Sequence, residues 1–300
     1  MIQSFDFFVA NPAGNITGFV VWPVYPGFRP AYTKAIMEQI DSSVEQVGFI
    51  SPSYDGPPLR LDMAGGEFCG NATRAYGLYS ATFLEEKGEY NMEVYVSGID
   101  HPIYVLANTI NNTAYIELPE AISVGELEVE GKSYKIVELS GITHVIIDDR
   151  KEDKDFVKKV IDAAKNKIES KAYGVLFYNK EDSSMVPYVE VVEADTLVRE
   201  SSCASGTVAL GYYLNNDKRD ENFKATIHQP NGELELTCRI NEEGKLVFTI
   251  GGPVEISETK KVKIDISKEV EEKVKAEYLA KKKLEEEASK HEEVKDDEEE

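Results

Sequence analysis

The spacing of apolar and polar residues divides the chain into short, well-punctuated elements. Ser4–Ala10 is apolar and β-rich, Asn11-Pro-Ala-Gly-Asn15 is a turn, and Ile16–Trp22 is a second β-rich run, which together predict a hairpin. Ala31, Ala35, Ile36 and Ile40 recur at helical spacing within Pro30–Asp41. Short strands are expected at Glu45–Ile50 and Leu59–Met63, separated by a loop over Ser51–Pro58. A helix over Asn71–Leu84 should turn Ala75, Leu78, Tyr79 and Phe83 to one face. The period then switches to two through Tyr90–Val96, Ile103–Ala107 and Tyr115–Leu118, and Pro119 ends the series. From Ala121 the order repeats: strands, a helix over Lys151–Lys167, strands at Gly174–Tyr178 and Val186–Val192, and a helix over Gly206–Asn215. Strands at Lys224–His228, Glu233–Ile240 and Leu246–Ile250 follow, the first two joined by a Pro230-Asn-Gly232 turn.

The repetition is sharpest around two cysteines. Aligned on Cys69 and Cys203, the eleven positions that end at Tyr79 and Tyr213 share five identities: Cys69/Cys203, Thr73/Thr207, Ala75/Ala209, Gly77/Gly211 and Tyr79/Tyr213. One supersecondary unit is therefore used twice, with one cysteine in each copy. The expected divisions are residues 1–120 carrying Cys69, residues 121–265 carrying Cys203, and a charged tail over 266–300, with the last strand of the second half free to cross back to the first. A third cysteine, Cys238, shares a strand face with Leu234, Leu236 and Ile240 and is read as core.

Composition narrows the class of partner. The 300 residues carry a formal net charge of −22, which disfavours nucleic acid and anionic membrane surfaces alike. Within Lys268–Glu300 eight Lys stand against fourteen Asp and Glu; this tail is expected to be partly helical, and disordered over Glu292–Glu300. No run of about 18 apolar residues is present, the N-terminus lacks a basic region before its apolar run, and three cysteines do not make a disulfide framework. The cytoplasm is the expected compartment, a small molecule the expected partner, and a homodimer is left open.

The small residues after each cysteine, Gly70, Asn71 and Ala72 in one copy and Ala204, Ser205 and Gly206 in the other, leave backbone N–H groups open at a helix N-terminus. Such an end attracts a carboxylate and is expected to lower a thiol pKa. Two of them facing one cleft would place a sulfur on each side of an amino acid. One thiolate would remove the Cα proton while the other thiol delivers a proton to the opposite face, with the carbanion stabilised by the carboxylate's hydrogen bonds and by exclusion of water. This chemistry uses no cofactor. The lysines lie mainly in charged stretches, no phosphate-binding glycine loop follows a strand, and the four scattered histidines offer no metal-ligand spacing.

These blocks resemble the diaminopimelate epimerase family, the cofactor-independent two-cysteine racemases and epimerases. The resemblance rests on Cys69-Gly-Asn-Ala-Thr-Arg74, Cys203-Ala-Ser-Gly-Thr207, Asn11-Pro-Ala-Gly-Asn15, the Glu45-Gln46 pair and Gly141-Ile-Thr-His144, and it spans about residues 4–262. It implies an α/β (α+β) fold of two similar domains, each a curved, mostly antiparallel sheet or barrel around a central helix, with the site in the cleft between. The family's Glu-Arg pair is missing before the second cysteine, in Asp195–Cys203, and Ile142-Thr143 replaces part of its Gly-Asn-Pro-His block, so a long zwitterionic side chain is less well matched. The histidine racemase branch is the better match, through Glu45–Ile50, Gly66–Thr73 and Ile227-His-Gln-Pro-Asn-Gly232.

The resemblance implies Cys69 and Cys203 as the acid/base pair and L/D-histidine as substrate. Gly70, Asn71, Ala204 and Ser205 would hold the carboxylate, with Gly206 and Thr207 close by. Asn15, Glu45, Gln46, Glu200 and His144 are the remaining candidate contacts. The alternatives are a diaminopimelate epimerase or other racemase of this family, a phenazine-biosynthesis-type isomerase, which would lack the cysteine pair, and a non-catalytic amino-acid-binding protein.

Overall fold

The computed structural model describes residues 2–51, 60–192 and 196–296, with backbone alone from 284 onward. Beyond Ser51, the loop expected over Ser51–Pro58 lies outside these residues, as do the last four of the acidic tail.

The first half contains β1 (Ile2–Pro12), β2 (Thr17–Val20), α1 (Arg29–Gln39), β3 (Gln46–Ser51), β4 (Arg60–Met63), α2 (Gly70–Ala81), β5 (Glu89–Val96), β6 (Ile103–Asn108) and β7 (Thr113–Glu117). The second contains β8 (Ser123–Val129), β9 (Lys132–Leu139), β10 (Ile142–Ile147), α3 (Lys154–Lys167), β11 (Ala172–Asn179), β12 (Ser184–Val191), β13 (Thr196–Arg199), α4 (Ala204–Asn215), β14 (Lys224–Gln229), β15 (Gly232–Ile240) and β16 (Leu246–Ile256). β17 (Lys260–Asp265) and α5 (Lys268–Asp296) close the chain.

In the first half the ladders run from β1 through β2, β3, β4, β5, β6 and β7 to β16, and β16 returns to β1 through Ala10↔Ile256. The strands thus close into a ring, and α2 runs inside it against β1, β5, β6, β7 and β16. Eleven of its twelve residues are buried, so it has no solvent-exposed face, as a helix enclosed by strands requires. The second half follows the same plan. β8 to β12 form one run, β14 to β16 another, the two meet at Ser184↔His228, and α4 lies against β9, β10, β15 and β16. Outside these sheets, α3 covers Val145, Val175 and Tyr188, and α1 covers Phe49 and Ile264.

The repeated residues do repeated work. Thr73 and Thr207 each turn a hydroxyl back to the carbonyl of their cysteine, at 2.8 and 2.7 Å. Gly77 and Gly211 allow the helices to touch the strands. A Cβ would lie 2.5 Å from Val105 at the first position and 2.7 Å from Phe248 at the second. The tyrosines diverge: Tyr79 stacks on Phe8, whereas Tyr213 donates to Asp148 at 2.6 Å.

Several expectations need correction. α2 ends at Ala81, and Phe83 is 69% exposed rather than on the helix's buried face. β16 runs six residues beyond the strand expected at Leu246–Ile250, because Ala10, Asn11 and Pro12 pair with its far end. The tail helix reaches Asp296, past the point where disorder was expected to begin. Val274 on its first turns is buried, and Tyr278 meets Tyr25 edge-on at 5.3 Å. Cys238 is buried opposite Phe248, on the core face that the alternation indicates.

Candidate active site

α2 and α4 meet at their N-termini, where a Cβ placed on Gly70 would lie 2.9 Å from that of Ala204. Cys69 and Cys203 are the N-cap residues of the two helices and have nearly the same backbone angles, φ −128° and ψ 108° against φ −126° and ψ 111°. In the first loop the Ala72 backbone N–H, three residues on, donates to Cys69 Sγ at 3.5 Å, the usual geometry of a capping side chain with sulfur in place of oxygen. The Cys203 side chain makes no such capping bond in the second loop.

Both sulfurs border one cavity of about 430 Å³. Nine of the thirteen candidate residues line it: Asn15, Gln46, Cys69, Gly70, Asn71, Glu200, Cys203, Ala204 and Ser205. Gln46 donates its side-chain N–H to Cys69 Sγ at 3.2 Å and also hydrogen-bonds Asn15. Asn71 reaches across the cleft to Ser202, at 3.4 Å to Oγ and 3.5 Å to the carbonyl. Four candidates stand behind the wall. Glu45 accepts from Asn15 at 3.1 Å and from Ser201, tying the first half to the second. His144 is fully buried behind Ser205, with Nε2 2.9 Å from Ser205 Oγ. Thr207 is fully buried in α4, and Gly206 packs towards Leu176.

The electrostatics reverse one expectation. Helix N-termini favour a thiolate, yet burial pushes the Cys69 thiol up to about 11, against the opposing pull of the Ala72 and Gln46 N–H groups. Cys203 is pushed well above its ordinary range, first by burial and then by the Glu200 carboxylate within hydrogen-bonding reach of its sulfur. Loss of water outweighs the few donors that the helix ends supply. Glu200 itself is pushed up to about 7, by burial and by the charge of Glu45.

Other parts of the site were not singled out from the sequence. Gln229 is buried; its Oε1 accepts the Cys203 N–H at 2.7 Å and its Nε2 donates to Thr207 at 3.0 Å, fixing the second loop. It lies within Ile227-His-Gln-Pro-Asn-Gly232, one of the blocks that carry the resemblance, which was the signal available for it. The rest of the wall is largely apolar, including Phe68, Ile99, Leu118, Leu139, Ile142 and Val189. Lys171, exposed at the rim, is the one lysine or arginine among the described lining residues. These residues come from strand ends and turns far apart in the chain, so no local pattern marks them.

The described residues hold no group of three or more His, Cys, Asp or Glu placed to bind a metal ion, and no helix long and apolar enough to cross a membrane. Comparison with known proteins places the chain. Residues 4–262 match the family described as the histidine racemase CntK N-terminal domain. A histidine racemase of Fusobacterium nucleatum subsp. nucleatum is 35% identical over 275 residues, covering 88% of this chain and 98% of the relative. Two solved structures share the fold at low identity. A hydroxyproline epimerase from Agrobacterium vitis, solved with bound trans-4-OH-L-proline, has a TM-score of 0.59 at 10% identity, over 88% of this chain and 92% of its own. A phenazine biosynthesis protein of the PhzF family from Bacillus anthracis has a TM-score of 0.58 at 13% identity, over 87% of this chain and 99% of its own. The neighbouring folds are thus of the phenazine-biosynthesis and proline-epimerase type, and by sequence the chain belongs to the histidine racemase family, an isomerase family.

Proposed function

We propose that this protein interconverts L- and D-histidine, with Cys69 and Cys203 as the two proton-transferring groups. The observation that carries the reading is the matched pair of N-cap thiols at the abutting ends of α2 and α4, both open to one cavity. The open N–H groups of the two helix ends suit the substrate carboxylate, which leaves Cα between the sulfurs. One sulfur, as thiolate, takes the Cα proton; the other, as thiol, gives its proton to the opposite face. Afterwards the protonation states are exchanged, and the reverse direction uses the roles swapped. The negative charge that develops on the carboxylate side is met by donors fixed beforehand.

Both thiols are neutral in the empty site, so the working thiolate forms as substrate enters. Glu200, titrating near 7 beside Cys203, is the nearby acceptor for that proton. Asn15 and Gln46 face the same space and suit the amino group or the ring. The apolar wall favours a flat imidazole. It does not favour the charged distal end of diaminopimelate, for which the described lining offers only Lys171 at the rim. The chemistry needs no pyridoxal phosphate, and an acidic protein of this kind suits the cytoplasm and a small-molecule substrate. Kinship with diaminopimelate epimerases at large rests on the paired cysteine blocks.

The test is α-deuterium uptake from L- and D-histidine in deuterium oxide, read by mass spectrometry, beside a panel of other amino acids that includes diaminopimelate. Exchange and inversion fastest with histidine, by dialysed enzyme and undiminished by a carbonyl reagent, is the expected result. A protein that binds histidine and leaves its α-proton in place would overturn the reading.

A further inference from the structure

His144 is the fully buried histidine of β10, and its surroundings are unusually one-sided. Nε2 lies 2.9 Å from Ser205 Oγ, while Nδ1 is buried without a hydrogen-bond partner. The ring rests on the bare backbone of Gly174, its partner across the β10–β11 ladder, where a Cβ would sit 2.0 Å from Nδ1. Ser205 Oγ is in turn 3.6 Å from Cys203 Sγ. Burial pushes His144 down to about 3, so the ring is neutral at working pH and carries one N–H.

The location of that hydrogen follows from the packing. On Nδ1 it would be a buried donor with nothing to bond, which is the costlier defect; a bare ring nitrogen there is the cheaper one. The hydrogen therefore sits on Nε2 and is donated to Ser205 Oγ. The serine's own hydrogen is then free, and Cys203 Sγ is the acceptor beside it.

We infer that His144 is a positioning residue for Cys203: its Nε2–H fixes Ser205 so that the serine hydroxyl is presented to the Cys203 sulfur. This rests on the two-thiol reading above. The two sulfurs are then supported in different ways. Cys69 has the Ala72 backbone N–H as well as a side-chain donor, whereas the donor beside Cys203 is a side chain. For Cys69 the side-chain donor is the Nε2 amide nitrogen of Gln46, which donates and does not accept. For Cys203 it is a hydroxyl, which donates to a thiolate and, after rotation, accepts from a thiol. Cys203 thus keeps a partner in both of the protonation states that a turnover visits.

The experiment measures iodoacetamide alkylation of Cys203 and Cys69 separately, by mass spectrometry across pH, in the full chain without substrate. Ser205→Ala removes the donor and should raise the pH midpoint for Cys203 by about one unit, roughly tenfold slower alkylation at neutral pH, while leaving Cys69 unmoved. His144→Leu should do the same, and His144→Gln, which restores an N–H near the Nε2 position, should recover most of the loss. Nitrogen-15 spectra of histidine-labelled protein should show His144 as the Nε2–H tautomer. An unchanged Cys203 profile in Ser205→Ala, or an Nδ1–H tautomer, would overturn the inference; Ser205→Ala carries the test should the core variant His144→Leu fail to fold. The assay reads sulfur reactivity and not turnover, so it stands apart from failure of the racemase reading, which racemisation by Cys203→Ser would reveal.

Discussion

Gly70 and Ala204, the first residues of α2 and α4, meet across the cleft so closely that a methyl group on Gly70 would fall 2.9 Å from the one already on Ala204. Ile116, at 3.2 Å, closes the other side. This contact sets how far apart the two cysteine loops stand. Gly70→Ala should therefore wedge the helix ends apart, costing about 1–3 kcal/mol of stability. Because displacement of about 1 Å between reacting groups costs on the order of 10²-fold in rate, turnover should fall much further than the folded fraction. Chemical denaturation and kcat measured on the same preparation check this. Native kcat in Gly70→Ala would show that the helix contact does not set the spacing.

Cys69→Ser and Cys203→Ser should each abolish racemisation. A serine hydroxyl is too weak an acid to act as the thiolate does near neutral pH. Cys238→Ser should keep turnover per folded molecule and cost about 1–3 kcal/mol, since it puts a hydroxyl into a core position facing Phe248. Chiral chromatography of the product, with thermal melts alongside, distinguishes the three; near-native racemisation by either of the first two variants contradicts the two-thiol scheme.

Glu200 and His144 should pull the pH dependence of stability in opposite directions. Glu200 titrates near 7 in the fold and at roughly 4.3 in an unfolded chain. The folded state thus holds the extra proton between these values, and this group's contribution is full below the lower one and lost as pH rises towards 7. For His144 the folded value is about 3 and the unfolded one roughly 6.5; the unfolded chain takes the proton first, so stability falls as pH drops from the higher of these values towards the lower. From about pH 5 to 6.5 the two slopes oppose each other. Glu200→Gln should leave melting temperature rising with pH through this window, and His144→Gln should leave it falling. Parallel melting curves for native and both variants would mean that neither group titrates as its burial implies.

Removing the chain from Lys268 onward should cost about 2 kcal/mol, chiefly through the buried Val274 and the surface it covers beside Gly27. Turnover per folded molecule should be unchanged, because none of the described side chains of α5 lines the cavity. A truncated protein that melts like the full chain but loses activity would point to a role for the tail in the reaction.

Where a feature depends on near neighbours in the chain, the sequence shows it. The cysteine loops were legible because a capping residue, small residues after it and a threonine four positions on all act within one helical turn. The same holds for the hairpin at Asn11–Asn15, where a proline and a glycine punctuate two apolar runs. Long-range features left no such mark. β17 pairs with Ile2–Phe7, at the far end of the chain, and its own residues, Lys260-Lys-Val-Lys-Ile-Asp265, show a weak alternation among charges. His144 looked like a candidate substrate contact, since nothing local reveals that Ser205, sixty-one positions away, stands between it and the cavity. The thiol pKa values went the other way from the helix-end expectation because enclosure by two sheets is a property of the whole fold.

β16 has a consequence for how the protein is made. It is the stave that closes the ring around α2, and it emerges from the ribosome more than one hundred residues after β7, the neighbour it must join. Until then the first half has an open seam along β1 and β7, exposing two strand edges and the apolar helix they are meant to enclose. The amino-terminal half is expected to wait as an incomplete intermediate during synthesis, complete only when nearly the whole chain is available. Expressed alone to residue 120, it should be prone to aggregation, and supplying 121–267 in trans should rescue it only when the two pieces are made together.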